Sequence, residues 1–215
     1  GRLTVGGRTI VLVAGEVVEI EPGEGDESVA RFLVSAGRLK AEKAQSIESE
    51  AAGDPNRLVS LLSAAVGREE VVVAAQRATW LDRIVRAIEA AESQGDPLPR
   101  PVPGTPTPPS EGLRIDFAPL LLEALARRAG ERDAGVVGSK ASAHFVLTSR
   151  ALPEVATRFA GFAIPAAPTP VFRLLAQTPS AAARIAALVR AGWGRIGTPD
   201  ELSQLAAQDA EEEAR

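Results

Sequence analysis

Read as apolar and polar positions, the first twenty residues alternate and then turn. Leu3 and Val5, Ile10 and Leu12, and Val18 and Ile20 are each spaced by two, the period of a strand with one buried face. Gly6-Gly7 and Ala14-Gly15 interrupt the alternation as two-residue turns, where glycine supplies the positive φ of a tight hairpin. The pattern predicts a three-stranded antiparallel meander over residues 2–21. From Asp26 onward the spacing becomes helical. Asp26 is expected to cap a short helix from Glu27 to about Ala36, ended by Gly37. A second helix is expected from Lys40 to Ala52, ended by Gly53. Asp54-Pro55 opens a third, with proline at the first helical position and Leu58, Leu61 and Leu62 inward. A fourth is expected from about Glu69 to Ser93, with Val73, Trp80, Leu81, Ile84, Val85 and Ile88 on roughly one face. VARFLV at 29–34 and LVSLLS at 58–63 are each followed by a Gly-Arg step and a further helix, a weak internal repeat.

The pattern then breaks. Between Gly95 and Gly112 stand seven prolines (Pro97, Pro99, Pro101, Pro103, Pro106, Pro108 and Pro109). Proline fixes φ and donates no backbone hydrogen bond, so this run is neither helix interior nor central strand; it reads as an extended, semi-rigid spacer. Two modules are therefore expected: residues 1–94, a β-meander with helices, and residues 113–198, mostly helical, joined by the linker 95–112 and followed by an acidic helix or tail over 199–215.

In the second module, Leu113 to Phe117 is expected as a short opening strand. Pro119 to about Ala129 is expected as a helix; residues 130–143 are Gly- and Ala-rich, and the run 135–140 within them reads as a mobile glycine loop. Ala143 to Leu147 reads as extended, and Leu152 to Phe159 as helical. Thr169-Pro170 and Thr178-Pro179 look like two cap-plus-proline helix starts. The second of these helices stops at Gly192 before the short strand Trp193-Gly194-Arg195-Ile196. Helix, tight turn, helix and strand form the skeleton of half a winged helix. Thr198-Pro199-Asp200-Glu201 has capping-box spacing. The fold class expected for the chain is thus α+β.

Composition narrows the chemistry. Of 215 residues, 45% are hydrophobic, with two Trp, six Phe and no Tyr, so the cores are aliphatic. The chain has no cysteine and one histidine, which rules out thiolate chemistry, zinc–thiolate sites and any site needing two His ligands. A net charge of −4 is too small to argue for nucleic acid or membrane across the whole chain. The chain opens at Gly1 and lacks methionine, as expected of a segment trimmed from a longer protein.

No constellation carries a reaction. His144 lies in an alternating segment with no Asp or Ser partner in reach of a triad argument, and is expected as a partly buried strand residue. Gly135-Val-Val-Gly138-Ser139-Lys140 lacks the Gly-Lys-Ser/Thr order of a phosphate loop. Glu19, Glu21, Glu24, Asp26 and Glu27 lack calcium-loop spacing and read as a solvated acidic turn. Residues 169–198 hold Arg173, Arg184, Arg190 and Arg195 and no acid, which makes phosphate contact on a helix-turn-helix frame an alternative. The helix SAAARIAALVRA, however, offers no Asn, Gln or Lys to read base edges.

The strand segment GRLTVGGRTIVLVAGEVVEIEPG resembles the PATAN family, the PatA N-terminal-like domains of bacterial two-component signalling proteins, which carry a similar Gly-x-Leu-x-Val hairpin beside helices. The stretches ESVARFLVSAGRLKAEKAQSIESE and NRLVSLLSAAVGREEVVVAAQ look like the helix-pair units that accompany it, which are similar to the N-terminal domains of type II secretion and type IV pilus ATPases. The resemblance covers about residues 1–93. It implies an adaptor of a bacterial signalling pathway that binds another protein; the lack of cysteine fits a cytoplasmic location, and the lack of a catalytic or ligand constellation leads to the expectation of no enzyme activity, cofactor or metal. Some of the ATPase-type domains bind cyclic di-GMP through Arg-Leu-Gly segments. Arg57-Leu58 matches, but Val59 replaces the glycine that would let a nucleotide approach the backbone. A cyclic di-GMP sensor is the remaining alternative.

Overall fold

The computed structural model describes residues 1–95, 114–149 and 151–213. The proline-rich linker, Gly95 excepted, lies outside the described residues. The chain divides into two compact units, Gly1–Phe117 and Ala118–Arg215, and its class is mixed α+β.

The first unit opens with the expected meander: β1 (Arg2–Val5), β2 (Arg8–Val13) and β3 (Glu16–Ile20), all antiparallel. Its inward set differs from strict alternation. Leu3, Val5, Ile10 and Ile20 are buried as expected, but Val17 replaces Val18, and Leu12 is only half-buried. The register explains why. Ile10 pairs with Ile20 and Val11 with Glu19, but Leu12 pairs with Val17, so Val18 is an extra, bulged residue. A bulge shifts every following side chain to the opposite face.

A second correction concerns the module boundary. Ile115–Asp116 is a strand (β4), but it joins the first sheet, pairing with Val17 and Glu16. Phe117 N–H donates to Gly15 C=O at 3.0 Å. The sheet order is β1-β2-β3-β4. The edge of β3 would otherwise present unpaired backbone groups, and residues beyond the linker satisfy part of it.

Among the described residues of this unit there are four helices: α1 (Val29–Ser35), α2 (Ala41–Ala51), α3 (Pro55–Val66) and α4 (Glu69–Gln94). Asp54 caps α3, accepting from the Asn56 and Arg57 N–H groups at 2.9 and 3.2 Å. The cap of α1 is Ser28, not Asp26; its Oγ accepts from Arg31 N–H. Val29, Leu33, Ile47, Leu62 and Val72 form the core among these helices. The deep position at the start of α4 is therefore Val72 rather than Val73. Further along, α4 packs on β1. At the β1–β2 turn Gly6 has φ +51°, and a Cβ there would lie 2.8 Å from Ala90 Cβ and 2.9 Å from Ala91 N. Glycine is needed at that point both for conformation and for close approach.

The second unit begins with α5 (Phe117–Ser139), broken at Gly130 (φ 52°, ψ −170°). The glycine run 135–140, expected as a mobile loop, is thus helical through Ser139 and forms the last turns of α5. The cause is tertiary: Val137 and Ala129 are both buried in one core with Phe145, Ile185 and Leu188, and burial outweighs about 1 kcal/mol of glycine helix penalty per residue. There follow β5 (His144–Leu147), α6 (Pro153–Ala160), β6 (Thr169–Pro170), α7 (Val171–Leu175), α8 (Ala181–Arg190), β7 (Gly194–Gly197) and α9 (Pro199–Glu213). Thr169-Pro170 pairs with His144 and Phe145 as a two-residue strand, and α7 starts directly after it with Pro170, not Thr169, as N-cap and no side-chain cap. α8 begins at Ala181, two residues past Pro179, with no side-chain cap. The sheet order is β6-β5-β7, antiparallel. Helix, turn, helix and strand are present over α7, α8 and β7; β7 then runs straight into α9. The capping box is formed at that junction: Thr198 N–H donates to Glu201 Oε2 at 2.7 Å and Glu201 N–H to Thr198 Oγ1 at 3.3 Å.

Phe145 is fully buried, and a Cβ on Gly194 would lie 2.5 Å from its Cζ. Gly194→Ala is therefore expected to destabilise the second unit by about 1–3 kcal/mol through overpacking. In a Trp80→Phe background, Trp193 fluorescence should report an earlier urea midpoint; an unchanged midpoint would show that the Phe145 ring yields without cost.

Candidate functional site

The most concentrated electrostatics in the first unit involve a residue expected in a solvated acidic turn. The Asp26 side chain is 2% exposed. Arg8 on β2 grips it in a two-point pair, Nη2 to Oδ1 at 2.9 Å and Nη1 to Oδ2. Gly23 N–H adds a bond at 2.8 Å. From α4, Arg83 Nε lies 3.6 Å and Arg86 Nε 3.9 Å from the same carboxylate. The two arginines also hold the loop backbone, Arg83 Nη1 donating to Ile20 C=O at 2.8 Å and Arg86 Nη1 to Gly25 C=O at 3.3 Å. Burial alone would raise the Asp26 carboxyl, but the Arg8 hydrogen bonds, the Gly23 N–H and the charges of Arg8 and Arg83 outweigh it and hold it below the ordinary carboxylate range. Burial pulls the Arg83 guanidinium below its usual value, against the opposing attraction of Asp26. One carboxylate thus ties a strand, a loop and the long helix together. The start of α4 in turn shares a core with the helices α1, α2 and α3.

Among those helices α3 stands out. It has five large apolar residues among its twelve, yet Leu62 alone is buried; Leu58, Val59, Leu61 and Val66 are half-buried at the margin of the core. Ser60 and Ala64 are exposed, and Arg57 is the helix's single charged residue, 3.5 Å from Glu50 across an exposed pair. Its neighbour α2, AEKAQSIESEA, is by contrast rich in charge. Interface cores are depleted in charged residues relative to other surface, and α3 has that composition. Arg57 and Leu58, the residues that matched a nucleotide motif, accordingly lie in an exposed ion pair and at the margin of the core.

In the second unit the four arginines of residues 169–198 have separate surroundings. Arg184 on α8 donates to Phe159 C=O at 2.5 Å and stands 5.8 Å from the Phe159 ring centroid. Arg190 pairs with Asp133 at 3.0 Å. Arg195 is half-buried on β7. Arg173 on α7 is exposed, its guanidinium 6.0 Å from the ring centroid of the exposed Phe172. Two of the four are therefore engaged in tying helices of this unit together, a use that the sequence did not signal because their partners, Phe159 and Asp133, lie 25 and 57 residues away. His144 is a half-buried residue of β5, and its Nδ1 is buried without a hydrogen-bond partner among the described residues.

A cavity of about 310 Å³ lies in this unit, walled by β5, β7, the segment 166–168 and α9. Among the described side chains, Arg195 is the one charged group that lines it. Among the described residues, no three His, Cys, Asp or Glu side chains converge as a metal site requires, and no helix is long and apolar enough to cross a membrane. No family model, curated protein or solved structure matches the chain.

The Asp26 cluster makes a prediction with a definite sign. A carboxyl held below its ordinary value contributes stability that is complete above about pH 4 and is lost as pH falls through the folded-state value. With Trp80 as reporter in a Trp193→Phe background, the parent's urea midpoint should fall below about pH 4 more steeply than that of Asp26→Asn; equal slopes would refute the assignment. At neutral pH, Asp26→Ala should cost about 3–5 kcal/mol, because it strands buried guanidinium charge.

Proposed function

We propose that the chain is a non-enzymatic adaptor of a bacterial two-component-type pathway, acting in the cytoplasm by binding another protein. The observation that carries this reading is α3: a helix of low charge whose apolar residues stop at the margin of the core, on a framework locked by the Asp26 cluster. A partner laid along α3 would complete the burial of Leu58, Leu61 and their neighbours, and about 25 cal/mol per Å² of apolar surface would favour that contact. The resemblance of the strand segment to PATAN domains supports the same role. The second unit then acts as a separate body, and the proline-rich linker sets its effective concentration near whatever the first unit holds.

A photo-crosslinking residue placed at Ser60 should give a discrete protein adduct in native lysate, and the same residue at the exposed Thr4 of β1 should not. Leu61→Asp should remove the Ser60 adduct while the far-UV circular dichroism stays unchanged. Adducts independent of position, or none at either position, would refute the reading.

A further inference from the structure

Among the described residues, three large apolar side chains are exposed: Val136 (51%), Leu152 (55%) and Phe172 (55%). All three belong to the second unit, and two of them stand at one corner of it. Val171 and Leu174 take the buried positions of α7, which leaves Phe172 outside. Phe172 N–H donates to Ala141 C=O at 3.1 Å, and Val171 N–H to Ala143 C=O at 2.8 Å. α7 is thereby held against the turn that leaves α5. Val136 lies five residues before Ala141, about 7 Å along the helix axis. Val137 turns into the core, and Val136 and Lys140, four positions apart, share the flank beside it. Contiguous exposed apolar surface of this kind marks an interaction site more often than a lone exposed side chain does.

The charges at this corner have one sign. Arg173 is exposed, its guanidinium 6.0 Å from the Phe172 ring centroid, the outer limit of a cation–π contact. Lys140 is exposed as well. Neither makes an ion pair among the described residues. Glu201 feels the charge of Lys140, but its carboxylate accepts from Thr198 N–H at 2.7 Å, and Asp133 on α5 is bonded to Arg190. A guanidinium stacked on a ring keeps its N–H edge for a carboxylate. A second copy of the chain would set these cations against themselves across a two-fold contact. A nucleic-acid strand is answered less well, because the one exposed ring here already carries Arg173 and Val136 gives a base nothing to stack on. We propose that the corner formed by Val136, Lys140, Phe172 and Arg173 docks an acidic amphipathic segment of a partner protein, with apolar side chains on Phe172 and Val136 and carboxylates on Arg173 and Lys140. This surface is separate from α3 and does not depend on it.

A capped peptide of repeating Glu-Glu-Leu-Leu is the probe. Added to the full chain, it should shift the amide resonances of Val136, Lys140, Phe172 and Arg173 saturably at micromolar-to-millimolar concentration. Repeating Glu-Glu-Ser-Ser lacks the apolar anchors and repeating Lys-Lys-Leu-Leu meets like charge, so each should bind at least about tenfold more weakly. Phe172→Ser should weaken the probe roughly tenfold. Arg173→Glu should reverse the preference between the acidic and basic apolar peptides, a change that loss of structure alone does not produce. Leu61→Asp, in the other unit, should leave the affinity unchanged, which separates this contact from the one at α3. The proposal is overturned if the probe gives no saturable shift at millimolar concentration, if the basic peptide binds the parent equally well, if Arg173→Glu keeps the parent's preference, if an oligothymidylate displaces the probe at equal concentration, or if the same resonances shift with protein concentration alone, as a second copy would cause.

Discussion

A single carboxylate with 2% exposure organises the first unit. Asp26 stands in a loop of eight residues between β3 and α1, and around it converge one arginine from the sheet and two from the long helix. Loops ordinarily run over the surface because buried backbone groups lack hydrogen-bond partners. Here Arg83 and Arg86 supply donors to the Ile20 and Gly25 carbonyls while their charges face Asp26. The loop is thereby tied both to the sheet, through Arg8, and to α4, through Arg83 and Arg86.

The two units solve the same problem differently. The first is held by a polar cluster of long sequence separation and by a sheet whose edge is closed by residues beyond the linker. The second depends on one aromatic ring: Phe145 fills the centre of a small aliphatic core, and Gly194 leaves the space that the ring needs. Its arginines cross from helix to helix, Arg184 to the end of α6 and Arg190 to α5. Two of the cations that composition suggested for a phosphate surface, Arg184 and Arg190, thus serve as internal ties.

Much of the element pattern was legible. The three strands, the α3 cap at Asp54 and the capping box at Thr198 all rest on interactions within a few residues, and local spacing reports such interactions directly. The boundary between modules was not legible, since Ile115 reads equally well as the first strand of the second module or the last strand of the first. Neither was the Val17-for-Val18 exchange, because a bulge leaves no mark in an alternation of valines. Of the candidate sites, Asp26 was misread as cap and solvated acid for one reason: its partners lie 18 and 57 residues on either side along the chain. The apolar content of α3 was plain, but its partial exposure was not.

Residue order by itself determined where backbone conformation is locally constrained: glycine at the turns, proline at helix starts, side-chain oxygens at caps, and the period of apolar positions in between. Those preferences act over a few bonds and need no partner. Tertiary structure alone decided which carboxylate is buried, which arginines are engaged, which strand edge is closed and which helix face is left half-covered. Each of those outcomes depends on the difference between burial and solvation for groups brought together from distant parts of the chain, a quantity that exists only once the chain has folded.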